Sequence, residues 1–154
     1  MKIMNNSKNL GINQQERLYC LIKSENYRFW LGGFVEGEGS LTVSISVNSK
    51  LTYGLAIQPE FNVVQHESGI EILNSFKILF EGSGSVYKKS GSNKVWVYSL
   101  KGRTNLIKFI IPFYTKYVIK YSSKYKFNIF KDFCYILNVL YENKNRTLNK
   151  SKFI

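Results

Sequence analysis

The chain has 154 residues, 44% of them hydrophobic and 16% aromatic, and sets 22 Lys and Arg against 10 Asp and Glu for a formal net charge of +12. That size suffices for one domain, residues 1–154, with its own core, and the charge points to nucleic acid or an anionic surface. A membrane partner is weakly supported, for want of an apolar run of roughly 20 residues; no signal peptide is expected from the polar N-terminus; and zinc, or a histidine general base, is poorly served by one histidine (His66) and two distant cysteines (Cys20 and Cys134).

Residues 1–23 are polar and basic with few periodic apolar positions, and read as an irregular lead-in. Ser24 suits an N-cap, after which Tyr27, Trp30, Leu31, Phe34 and Val35 recur at helical spacing. Residues 40–48 then alternate strictly. Leu41, Val43, Ile45 and Val47 are expected to face a core, and Ser40, Thr42, Ser44, Ser46 and Asn48 the other way. A second strand over 53–65 places Leu55, Ile57, Phe61 and Val63 on one face and Gln58, Glu60 and Asn62 on the other. Pro59 within it implies an edge or a bulge.

Residues 68–80 read as a helix, and 85–89 with 94–100 as a hairpin. Residues 104–121 read as helical with a break at Pro112, and 124–141 as a long amphipathic helix. Residues 142–154 read as a basic tail. The expected fold class is α+β: a four-stranded antiparallel sheet with helices on one face. The uncovered face would carry Ser85, Tyr87, Lys89 and Lys94 besides the polar positions already named. The last strand is ambiguous: either Trp96 and Tyr98 face outward, or they are core and Val95 and Val97 face outward. A polar, cationic sheet face of this kind suits a DNA major groove.

The segment from Trp30 to Ser40 is the most informative. It begins as a helix, spaces Gly33 and Gly37 four apart and ends in Glu36 and Glu38. Negative charge at a helix C-terminus opposes the macrodipole, which costs roughly 0.3–1 kcal/mol per charge. In a chain this basic, stability does not explain two such acids. A cation placed between them and a polyanion does.

Leu31-Gly-Gly-Phe-Val-Glu36-Gly-Glu38-Gly39 resembles the LAGLIDADG motif of homing endonucleases, keeping its leading leucine, central glycine, both acidic positions and final glycine. The order αββαββα is similar to that family's fold, with its saddle-shaped sheet, over roughly residues 25–141. Both acids are Glu where Asp is commoner, and Gly32 stands where Ala is usual. Phe80-Glu-Gly-Ser-Gly-Ser-Val86 echoes the motif but has Ser83 at the second acid, so one motif is counted.

The resemblance implies a site-specific, intron-encoded double-strand DNA endonuclease that hydrolyses phosphodiesters with Mg²⁺. A single motif supplies half an active centre, which implies a homodimer on a pseudo-palindromic site, with Gly33, Glu36 and Gly37 at its interface. The implied metal ligands are Glu38 and the Gly37 carbonyl. The implied catalytic residues are Glu38, Gln65 at the end of the second strand, and a lysine, Lys124 ahead of its rivals Lys120 and Lys126. The implied DNA contacts are Ser40, Thr42, Ser44, Ser46, Asn48, Gln58, Glu60, Asn62, Ser85, Tyr87, Lys89, Lys94 and Trp96. An RNA-binding intron maturase on the same fold is the alternative, with intron RNA as partner. The Lys-, Asn-, Ile-, Phe- and Tyr-rich composition suggests AT-rich coding DNA, as in a mitochondrion or chloroplast.

Overall fold

The computed structural model describes the backbone of residues 7–51 and 53–150, and the side chains of 13–51 and 53–142. The elements run α1 (Ser7–Lys23), α2 (Glu25–Glu38), β1 (Gly39–Val47), β2 (Leu55–His66), a 3₁₀ turn (Glu67–Gly69), α3 (Ile70–Leu79), β3 (Ser85–Lys88) and β4 (Val95–Lys101). A composite helical stretch, 103–121, contains α4 (Arg103–Asn105) and α5 (Ile111–Phe113), and α6 (Lys124–Lys150) follows. The four strands form one antiparallel sheet in the order β1-β2-β4-β3.

Strand register decides which side chains share a face. Val63 pairs with Tyr98 and Phe61 with Leu100, and all four point into the helical layer. There they meet Leu31 and Val35 of α2, Leu73 and Phe76 of α3, Leu106 and Ile110 of the composite helix, and Phe133 and Leu137 of α6. Phe61 is the hub, in edge-on contact with Phe76, Phe80, Tyr98 and Tyr114 at 5.9–6.3 Å between ring centres. Phe61→Ala is expected to lose about 3–5 kcal/mol of stability in denaturant unfolding. Val47→Thr, at the far end of the same sheet, should change it by no more than about 0.5 kcal/mol.

That contrast follows from a departure from the expected core. Ile45 is 66% exposed and Val47 86%, and their partners Ile57 and Leu55 are also exposed. The β1–β2 hairpin outruns the helices. Alternation predicts which face a residue takes but not how far the cover extends. β2 pairs with β4 only from Glu60 onward, so Pro59 stands where β2 is still an edge on that side.

Three further expectations are corrected. The supposed lead-in is helix α1 from Ser7, and of the apolar run 18–22 near its end it buries Leu18 and Ile22, one turn apart. The expected break at Pro112 is absent. π-helical turns over Leu106–Ile110 and Tyr114–Val118 flank it, and the Ile111 and Ile119 N–H groups bond five residues back, to Leu106 and Tyr114. The wider turns let the helix pass a residue that lacks an N–H. Finally, α6 runs on through Lys150, beyond the expected start of the tail; residues 151–154 lie outside the described residues.

Candidate active site and nucleic-acid interface

α2 has three faces with separate tasks. Leu31 and Val35 enter the core. Gly32 lies against the composite helix so closely that a Cβ there would sit 2.2 Å from the Tyr117 carbonyl oxygen. The third face, Asn26, Trp30, Gly33 and Gly37, is exposed and follows the i, i+4, i+7, i+11 spacing of a packing stripe. A Cβ at Gly33 or at Gly37 would meet nothing within 4 Å. Packing within this chain therefore requires glycine at 32 but at neither 33 nor 37. Trp30 is half exposed beside them, stacked between Tyr27 and Phe34. A hollow of about 430 Å³ flanks the stripe, lined by Phe29, Gly33, Glu36, Tyr117 and Tyr121 among others.

The two acids separate sharply. Glu38, the last residue of α2, is exposed, and among the described residues its carboxylate enters no hydrogen bond or ion pair of the chain. Glu36 turns inward instead, where its Oε1 accepts the Ser123 N–H at 3.0 Å. Its Oε2 is buried with no hydrogen-bond partner among the described residues. Burial, and secondarily the Glu36 charge, push the neighbouring Tyr114 phenol well above its ordinary pKa. Glu36 thus bonds within its own chain and is not part of the exposed stripe.

The lysine that reaches the motif is Lys126, whose Nζ donates to the Gly39 carbonyl at 2.8 Å. Lys124 is exposed on the first residue of α6. Two residues apart is about 200° around a helix, so only one of the pair can face the motif. Lys120 lies over the Tyr121 ring at 5.3 Å. Helix phase, set by where α6 begins, separates Lys124 from Lys126, and Lys120 lies before that helix in the 3₁₀ turn Ile119–Tyr121; composition and order do not separate the three. Gln65 lies at the motif's end of the sheet, two residues past Val63, the partner of Gly39. Its Oε1 accepts the His66 N–H at 2.7 Å.

The face of the sheet turned away from the helices carries most of the expected contacts. Ser40, Thr42, Ser44 and Ser46 of β1 stand opposite Asn62, Glu60, Gln58 and Ala56 of β2, and Ser85 and Tyr87 share that side through β4. Lys89 is exposed just past β3, and Asn48 lies in the β1–β2 turn, where its Oδ1 accepts the Lys50 N–H. Trp96 is a correction. It shares the face of Tyr98 and packs against the core, because Gln65, its partner, follows the inward alternation of Phe61 and Val63. Lys94 precedes β4 and is exposed. Val97, Ser99 and Lys101 take the outward face instead. Glu60 is engaged there, accepting the Ser99 hydroxyl and pairing with Lys101 at 3.5 Å. The echo of the motif after α3 is a left-handed turn at Glu81, whose carboxylate pairs with Lys108 at 2.5 Å.

No group of three or more His, Cys, Asp or Glu that could hold a metal occurs among the described residues. A single free carboxylate beside backbone carbonyls is an open site. Such a site suits a hard cation that completes its shell with water and phosphate oxygen.

The LAGLIDADG endonuclease family model matches residues 31–137, which begin at the motif and end in α6. The chain belongs to the LAGLIDADG endonuclease family. Among LAGLIDADG relatives, DNA endonuclease I-CeuI of Chlamydomonas moewusii is 34% identical over 123 residues, covering 80% of this chain and 56% of the relative. Probable intron-encoded endonuclease 3 of Neurospora crassa is 29% identical over 121 residues, covering 78% of this chain and 21% of the relative. The chain thus spans little more than half of the first relative and about a fifth of the second. The structure of the group I intron-encoded homing endonuclease I-CeuI complexed with DNA superposes with a TM-score of 0.76 at 30% identity, covering 94% of this chain and 74% of that one. The homing endonuclease I-TnaI superposes with a TM-score of 0.66 at 29% identity, covering 75% of this chain and 74% of that one. The fold of those LAGLIDADG enzymes, mixed helix and four-stranded antiparallel sheet, is the fold found here.

Proposed function

We propose that the chain is a site-specific, divalent-metal-dependent double-strand DNA endonuclease of intron-encoded type that acts as a homodimer. The carrying observation is the free Glu38 carboxylate at the junction of an exposed glycine stripe and an open polar sheet face. Two copies of α2 packed on Gly33 and Gly37 about a two-fold axis would bring both Glu38 side chains together at the centre of a continuous surface. Small residues permit that close approach.

Glu38, with the Gly37 carbonyl, would hold the metal, for which Mg²⁺ suits the all-oxygen donors. When bound, such an ion polarises the scissile phosphate and acidifies a water. Lys126, already at the motif, stabilises negative charge gathering on the phosphate oxygens. Gln65 keeps its side-chain NH₂ available to orient the attacking water. Ser40, closest to Glu38, contacts phosphate; Thr42, Ser44 and Gln58 meet base edges in the major groove, where Asn62, its Oδ1 buried, offers its NH₂ alone. Lys89, Lys94 and Lys101 approach the backbone. The composition favours an organellar gene, and no helix among the described residues is long and apolar enough to cross a membrane.

The experiment is cleavage of a randomised duplex library with Mg²⁺. Double-strand breaks at one pseudo-palindromic sequence support the reading. No breaks, with tight binding of intron RNA, would replace it with a maturase. Binding to duplex DNA should also fall roughly 10³-fold between about 50 and 200 mM salt, read by fluorescence anisotropy, because each copy brings a formal charge of +12.

A further inference from the structure

Glu36 presents a physical puzzle. It lies in the last turn of α2, at the negative end of that helix, with one carboxylate oxygen buried and unbonded among the described residues. An unsatisfied buried polar atom is destabilising. What offsets it is the start of α6. The Ser123 N–H that Glu36 accepts is the orphan donor at that helix N-terminus, where negative charge is favoured. Ser123 in turn begins the helix: its carbonyl takes the Phe127 N–H at 2.9 Å, and its hydroxyl takes the Lys126 N–H at 3.3 Å. Lys126 then returns to the motif through the Gly39 carbonyl. Gly39 closes the circuit, because its own N–H caps α2 at the Val35 carbonyl.

The bonds form a ring from Glu36 to Ser123 to Lys126 to Gly39, and back along α2. Glu38 lies within the segment that the ring encloses. We propose that Glu36 is a positioning residue. It fixes the angular phase and distance of the first turn of α6, so that the Lys126 ammonium, rather than that of Lys124, is held at the metal-side end of the motif. Glu36 ligates no metal itself, since Oε1 is engaged and Oε2 is buried. This assignment rests on the endonuclease reading above and adds a task that the second acid, Glu38, does not share.

The test compares single-turnover and steady-state cleavage of a duplex recovered from the library, with Mg²⁺, by wild type, Glu36→Ala, Glu36→Gln, Lys126→Ala and the double variant Glu36→Ala/Lys126→Ala. Removing groups that orient a catalytic side chain typically costs about 10- to 100-fold in activity. Glu36→Ala should therefore lower kcat about 10- to 100-fold with KM little changed. Glu36→Gln keeps an acceptor for the Ser123 N–H and should recover most of that loss. In the Lys126→Ala background, removing Glu36 should cost nothing further, because its effect passes through Lys126. A purely structural role would cost the same in both backgrounds, and that result overturns the proposal. So does loss of all activity in Glu36→Gln, which would make Glu36 a metal ligand. Should Glu36→Ala fail to fold, Glu36→Met carries the same comparison, because it removes the acceptor of the Ser123 N–H, keeps much of the side chain's volume and leaves the Ser123 hydroxyl on the Lys126 N–H. A wild type that cuts no duplex overturns the endonuclease reading and this assignment together. Cleavage by wild type and Glu36→Ala at equal rates overturns this assignment alone.

Discussion

Glu38→Gln is expected to lower metal-dependent cleavage by about a thousandfold or more while leaving the chain folded and able to bind DNA. The size of the effect follows from the site's economy. At the motif each copy offers one free carboxylate, with no acidic cluster among the described residues to take over its task. An amide of the same shape keeps the volume and loses the charge that a hard cation requires. A thousandfold loss corresponds to about 4 kcal/mol of transition-state stabilisation, within the several kcal/mol a metal supplies in phosphoryl chemistry. Stability should hardly move, because Glu38 is exposed and bonds to nothing in its own chain among the described residues. Binding, read in Ca²⁺ or without metal, should survive, since the sheet face lies apart from the substituted atom. Loss of folding or of all DNA binding would mean that Glu38 has a structural task.

The second large effect distinguishes three neighbouring glycines. Gly32→Ala forces a methyl group onto the Tyr117 backbone oxygen and should destabilise the fold by about 1–3 kcal/mol, seen as a lower unfolding midpoint. Gly33→Ala and Gly37→Ala meet open space within the chain. A helical glycine replaced by alanine gains up to about 1 kcal/mol in propensity, so the isolated subunit should be as stable or more so. Gly33→Leu, by contrast, should block the approach of a second α2 and weaken self-association at least tenfold, about 1.4 kcal/mol, in sedimentation equilibrium. Cleavage should fall with it if, as proposed, each subunit brings half of the centre. Trp30, exposed on the same stripe, should behave likewise when truncated, as large aromatic anchors do.

Much of this was legible in the residues themselves. The alternation of 40–48 fixed the orientation of β1, and the spaced glycines and acids of 31–39 marked the helix-to-strand junction. The structure resolved points that depend on packing. Three lysines within seven residues look alike until the start of α6 leaves Lys120 outside the helix, sets Lys124 and Lys126 on different sides of it and brings Lys126 to Gly39. Trp96 and Tyr98 were undecided until their pairing with Gln65 and Val63 turned both inward. α1 is hard to read from the residues because its apolar side chains are mostly bunched at 18–22 rather than spaced along the helix, and of these five only Leu18 and Ile22 are buried. The break expected at Pro112 failed because flanking π turns absorb the missing donor. The exposed ends of β1 and β2 show the converse, a clean apolar alternation that outruns its cover.

The most direct test of a shared, two-fold centre built from one motif per chain is sequencing of the ends produced when the wild type and Glu38→Gln act on a randomised duplex library with Mg²⁺. The expected result is a pair of cuts placed symmetrically within a pseudo-palindromic site by the wild type, and none by Glu38→Gln. Cuts that persist in Glu38→Gln, or a site with no two-fold relation between its halves, would contradict it.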